Sequence, residues 1–131
     1  MPEELHPTRW TADTAIDLLE SYRDEAPFFL KVSFARPHSP YHPPKRFMEA
    51  YREDEMPAPH IGDWAEEHAK RNGNHPNNLW EGDLGLKEVR RSRRGYYGSI
   101  SFIDEQIGRI RSTLEKRGLL ENTFILFVSR Q

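Results

Sequence analysis

The stretch YYGSISFIDEQIGRIRSTLEKRGLLENTFILFV, residues 96–128, decides the fold expected of this chain. Tyr96, Ile100, Ile103, Ile107, Ile110 and Leu114 recur at alternating steps of four and three, the period of one face of an amphipathic helix, and that stripe is read as core. Gly118 suits the helix stop and Glu121-Asn122 a turn. Thr123-Phe124-Ile125-Leu126-Phe127-Val128 then reads as a short strand, apolar enough to be covered on both faces. A buried strand needs a partner, and the chain offers one upstream.

Phe28-Phe29-Leu30-Lys31-Val32-Ser33-Phe34 is aromatic, β-branched and nearly continuous in apolarity. A helix precedes it: Thr11 can cap a run in which Ala12, Ile16 and Leu19 share a face, and the run must end before Pro27. Between the two strands, residues 36–88 hold seven of the ten prolines together with Gly62, Gly73, Gly82 and Gly85, so little regular structure is expected beyond a short helix near 45–51. Helix, strand, long loop, helix, strand reads as a βαβ unit. The expected fold is therefore α/β, part of a parallel sheet flanked by helices, in one unit spanning 1–131.

Composition narrows the function classes. A net charge of -2 disfavours nucleic acid as a partner, and no stacking motif accompanies the arginines. No apolar run approaches the roughly 20 residues that span a bilayer, so no membrane partner is expected. With no cysteine, the chain has neither disulfide nor thiolate chemistry. The first residues, MPEELHPTRW, contain no apolar signal core, and localisation is not read from them. Two unpaired strand edges would favour self-association of the chain.

Ligands of open α/β sheets gather beyond the carboxyl ends of the strands, and there the chain runs into SFARPHSPYHPP, residues 33–44. Pro37 and Pro40 restrict the backbone on either side of His38, which lowers the entropy lost when the imidazole is fixed. Histidine can donate a proton near neutral pH, although a loop histidine can equally cap a carbonyl. His38, His42, His60, His68 and His75 are too irregularly spaced to suggest a zinc site and read as surface residues. Arg90, Arg91, Arg93 and Arg94 could attract a sulfated or phosphorylated substrate, but such a run is more often a solvated segment. Trp10, Trp64 and Trp80 could line a sugar-binding rim or simply anchor loops.

PFFLKVSFARPHSPYHPP followed by YYGSISFIDEQIGRIRSTLEKRGLLENTFILFVS resembles the type I sulfatases of the alkaline phosphatase-like superfamily. The first block is similar to their strand and PHxPY turn, and the second to their FIDxQIGRI helix and following strand. The resemblance implies that His38 is catalytic, a general acid at the departing alcohol of a sulfate ester. It implies Arg36 and Tyr41 as substrate-binding neighbours. It further implies calcium and a formylglycine nucleophile in a full-length parent, in a periplasmic or otherwise extracytoplasmic compartment. No C/S-x-P-x-R formylglycine motif occurs in the chain, and Ser129-Arg130-Gln131 stands where the family has S-D-H-G or S-D-N-G. Neither cofactor nor metal ligand is thus expected within these residues, and the chain reads as an internal sulfatase segment, inactive alone. A phosphate-ester or phosphonate hydrolase, and a non-catalytic binding module derived from a sulfatase, are the alternatives.

Overall fold

The computed structural model describes residues 2–23, 26–65, 67 and 85–129. Three helices carry the packing: α1 (Pro7–Ser21), α2 (Lys45–Glu49) and α3 (Leu86–Lys116). Short 3₁₀ turns occupy Glu3–Leu5, Glu53–Glu55 and Leu120–Asn122. No helix among the described residues is long and apolar enough to cross a membrane.

Helix α1 begins earlier than Thr11. His6 is its N-cap, with Nδ1 accepting from the Thr8 amide, and Pro7 occupies the first turn, where its missing N–H costs nothing and its fixed φ suits the helix. Thr11 instead returns its hydroxyl to the Pro7 carbonyl at 2.9 Å. Thr8, Ala12, Ala15 and Leu19 form the buried face, four residues at helical spacing with small side chains in the middle.

That face meets α3. His6 lies edge-on to Phe102 at 5.0 Å, Asp13 accepts from Arg109 at 2.6 Å, and Arg117 donates to the Tyr22 carbonyl at 2.7 Å. Residue numbers rise together along both helices, so α1 and α3 run parallel. Phe102 is 1% exposed and Gln106 0%, and burying a ring of that size stabilises by about 1.5–3 kcal/mol relative to leaving it in water. Helix α3 stops where expected: Gly118 takes φ +67°, its amide bonds Glu115 O at 2.9 Å, and the Leu119 amide bonds Leu114 O at 2.9 Å, a Schellman cap that needs a left-handed residue.

Two expectations are corrected here. The parallel sheet is not formed: no strand occurs among the described residues, and the runs 27–35 and 123–129 have no regular secondary structure. Phe29 is 94% exposed and Phe124 88%, so neither run has the cover that its apolarity suggested. The physical reason is pairing. A strand is held by the amides and carbonyls of a neighbour, which apolar side chains advertise but cannot supply. The second correction concerns α3, whose buried face is Gly95, Gly98, Ser99, Phe102, Gln106, Thr113 and Leu114. The aliphatic stripe lies roughly a quarter turn away. Ile100 on it is 42% exposed, and only Leu114 at its end belongs to the core.

Arg46 fastens three elements together. It donates to Glu3 at 2.9 and 2.6 Å and to Glu105 at 2.7 and 2.6 Å, while its guanidinium stands 3.9 Å over the Phe47 ring. Hydrogen bonding to Arg46 holds both carboxylates below their ordinary value of 4.5. At Asp13 burial works in the opposite direction, but the guanidiniums of Arg109 and Arg9 outweigh it and keep the group below 3.8. In each case the unfolded chain takes up the proton first as pH falls. The stabilisation is therefore complete above the ordinary carboxylate values and is lost progressively as pH drops from about 4.5 through the lower folded values. Thermal midpoints measured between pH 6 and pH 3 are expected to fall, and Arg46→Gln should flatten that slope; equal slopes would show that the cluster contributes nothing.

Candidate functional site

The site is built on a turn. The His38 amide closes it onto Ala35 O at 3.3 Å, and Arg36 Nη1 donates to His38 O at 2.8 Å. Cis peptide bonds precede Pro37 and Pro40. His38 Nδ1 is 2.8 Å from Ser39 O. A carbonyl only accepts, so Nδ1 carries the proton and the exposed ring has Nε2 left to meet a ligand. The contact with Ser39 O is the carbonyl cap that the sequence also allowed for a loop histidine; it engages Nδ1 and not the second ring nitrogen.

The chain after the turn lies directly on α3. A Cβ on Gly95 would come within 2.9 Å of both Cβ and O of Tyr41, and one on Gly98 within 2.9 Å of Phe47 O and Pro43 Cγ. Glycine three residues apart on one helix face thus makes a shallow bed for residues 41–47. Phe47 is 8% exposed and stacks on Phe102 at 5.0 Å, and the Tyr51 hydroxyl meets Ser101 Oγ at 2.6 Å. Tyr41 packs its ring edge-to-face on Tyr96 at 5.7 Å, which places this expected substrate residue against α3. Arg36 and His38 share the turn, whereas Tyr41 is the first residue of the segment bedded on the helix.

The basic run is structural in part. Arg94 Nε donates to Met48 O at 2.7 Å and Arg93 Nη1 to Pro57 O at 2.8 Å, so two of its arginines secure the loop to α3. Arg90 borders an open cleft with Glu53, Asp54, Leu86 and Lys87, whose mixed charges do not select an anion. Trp10 and Trp64 are exposed, and Trp80, His68, His75, Arg130 and Gln131 lie outside the described residues. Among the described residues no three His, Asp or Glu side chains are grouped so as to hold a cation. The sequence contains no formylglycine precursor motif.

Sequence reasoning missed His6, Gly95, Gly98 and Arg46. The glycines were legible as a G-x-x-G on one helix face; His6 carried no signal, since histidine is an unusual cap.

A sequence profile of the Sulfatase family matches residues 5–129. An arylsulfatase of Clostridium perfringens is 44% identical over 127 residues, covering 97% of this chain and 26% of that protein. A choline-sulfatase of Rhizobium meliloti is 36% identical over 110 residues, 79% of this chain and 21% of the relative. Mouse iduronate 2-sulfatase is 31% identical over 143 aligned positions, 98% of this chain and 26% of the relative. The chain thus spans about a quarter of the length of the relatives it matches. With the profile covering nearly every residue, turn and long helix included, the chain belongs to the sulfatase family.

Proposed function

We propose that the chain is a segment of a sulfuric ester hydrolase and that it supplies His38 as the acid at the departing alcohol. The observation that carries the reading is the hydrogen bond from His38 Nδ1 to Ser39 O, which leaves Nε2 as the nitrogen that can act on a ligand. When the S–O bond to the alcohol breaks, the electron pair moves to the bridging oxygen; protonated Nε2 gives that oxygen its proton and the ring is left neutral. Arg36, on the same turn, is proposed to contact the sulfate with guanidinium nitrogens other than the one on His38 O. The attacking nucleophile and the cation of such an enzyme are proposed to come from elsewhere in the full-length enzyme: the sequence contains no formylglycine precursor motif, and among the described residues no three His, Asp or Glu side chains are grouped to hold a cation.

The names of the three relatives described above, each more than 30% identical, agree on sulfate and differ in the alcohol, so they support sulfate over the phosphate-ester and binding-module alternatives and leave the alcohol unassigned. The test is a transplant. The 44% identical stretch of the Clostridium arylsulfatase is replaced by this chain, and turnover of 4-nitrophenyl sulfate and 4-nitrophenyl phosphate is compared. The chimera is expected to keep the sulfate preference of its host. A folded chimera that turns over the phosphate in preference to the sulfate overturns the reading.

A further inference from the structure

We infer that His6 is a positioning residue for His38, holding the loop that carries the turn against the N-terminus of α1 by its neutral, Nε2-protonated ring. The inference rests on the reading of His38 as the group that meets the substrate. His6 is 4% exposed, so it touches no ligand itself. Its Nδ1 accepts from the Thr8 amide at 3.1 Å, which fixes the proton on Nε2. Nε2 is buried and makes no hydrogen bond of ordinary geometry. The ring is clamped by Phe102 at 5.0 Å and by the His42 ring at 6.2 Å, both edge-on.

These contacts bracket the turn. His42 lies four residues beyond His38, in a stretch stiffened by Pro40, Pro43 and Pro44, so a shift of His42 is passed back to the turn and not absorbed. On the other side, Arg36 is close enough for its charge to act on His6 while its Nη1 holds His38 O. A capping role alone explains the bond to Thr8, but it does not require a ring wedged between Phe102 and the loop. Asparagine caps a helix at least as well as histidine and lacks that ring.

The arrangement depends on neutrality. Burial, then the charges of Arg36 and His42, hold His6 below the ordinary histidine value of 6.5, while the His42 backbone and Glu3 oppose the shift and do not reverse it. The neighbouring group from α3 is the uncharged Phe102. A proton on Nδ1 would confront the Thr8 amide at the positive end of a helix. Because the unfolded chain is protonated first, the contribution of His6 is complete above about 6.5 and is lost as pH falls below it toward the folded value.

The test separates the cap from the wedge. In the ¹⁵N-labelled chain, ring spectra at pH 7.5 should show His6 with its proton on Nε2, and amide exchange should be followed at His38, whose N–H bonds Ala35 O. His6→Asn is expected to speed exchange at His38 by on the order of tenfold while amides in the body of α1 keep their protection. Unchanged protection at His38 would reduce His6 to a cap and overturn the inference. If His6→Asn does not fold, the unmodified chain serves: protection at His38 should fall across the pH range, below about 6.5, in which the ring spectra show His6 taking up its second proton, and a value that stays constant through that change overturns the inference. In the chimera, His6→Asn should lower kcat with little change in KM. Exchange needs no catalysis, so an inactive chimera would count against the sulfatase reading alone, and an active one with unmoved His38 protection against the role of His6 alone.

Discussion

His38→Ala in the arylsulfatase chimera is expected to lower kcat by about 10²–10⁴-fold for sulfate esters of weakly acidic alcohols, the range a positioned general acid contributes. The size of the loss should depend on the leaving group. An alkoxide of high basicity cannot depart without a proton, whereas 4-nitrophenolate leaves readily as an anion, so the same substitution should cost much less with 4-nitrophenyl sulfate. Rates of both variants across a series of aryl and alkyl sulfates give the slope of log kcat against leaving-group acidity. The slope should steepen in His38→Ala. A uniform loss along the series would mean that the ring acts on the sulfate and not on the bridging oxygen, and no loss at all would remove His38 from the site. The geometry makes the steeper slope the expected outcome because Nδ1 is committed to Ser39 O, which leaves one nitrogen to hold a transferable proton.

The residues that could be read from sequence are those whose role is local. Gly118 stops α3 because a left-handed cap is a property of one residue and its immediate neighbours. His38 is held by its own turn, and the prolines around it say so. Pairing is different. Phe28-Phe29-Leu30 and Phe124-Ile125-Leu126 announced that they are apolar, which is a demand for cover, but no feature of either run can state that a neighbouring strand answers it. Periodicity misled in the same way on α3. The stripe of Ile100, Ile103, Ile107 and Ile110 is the most apolar face, yet α1 and the loop pack on the face of Gly95, Gly98, Phe102 and Gln106, where small side chains permit a closer approach than branched ones. Arg93 and Arg94 read as solvated charge, because the carbonyls of Met48 and Pro57 that they bind lie some forty residues away in sequence.

Gly98→Val is expected to destabilise the chain by about 3 kcal/mol, the upper end of the usual cost of overpacking. Two effects oppose each other at this position. Replacing glycine in a helix interior gains about 0.5–1 kcal/mol by removing backbone freedom from the unfolded chain. Against that, the first added carbon already lies 2.9 Å from Phe47 O and from Pro43 Cγ, a backbone atom and a ring, neither of which can swing aside as the end of a flexible side chain would. Valine adds two further carbons and a β-branch that a helix tolerates poorly. The loop 41–47 must lift, and with it the stack of Phe47 on Phe102. Gly108→Ala is the control on the same helix: a Cβ there meets nothing within 4 Å, so the backbone gain stands alone and the variant should be more stable by about 0.5–1 kcal/mol. Thermal and urea unfolding of both variants, followed by far-ultraviolet circular dichroism, reads the two signs directly. If Gly98→Val matched the stability of the unmodified chain, the loop would not rest on α3 at Gly98, and the bed of residues 41–47, which follow the His38 turn, would have to be placed elsewhere.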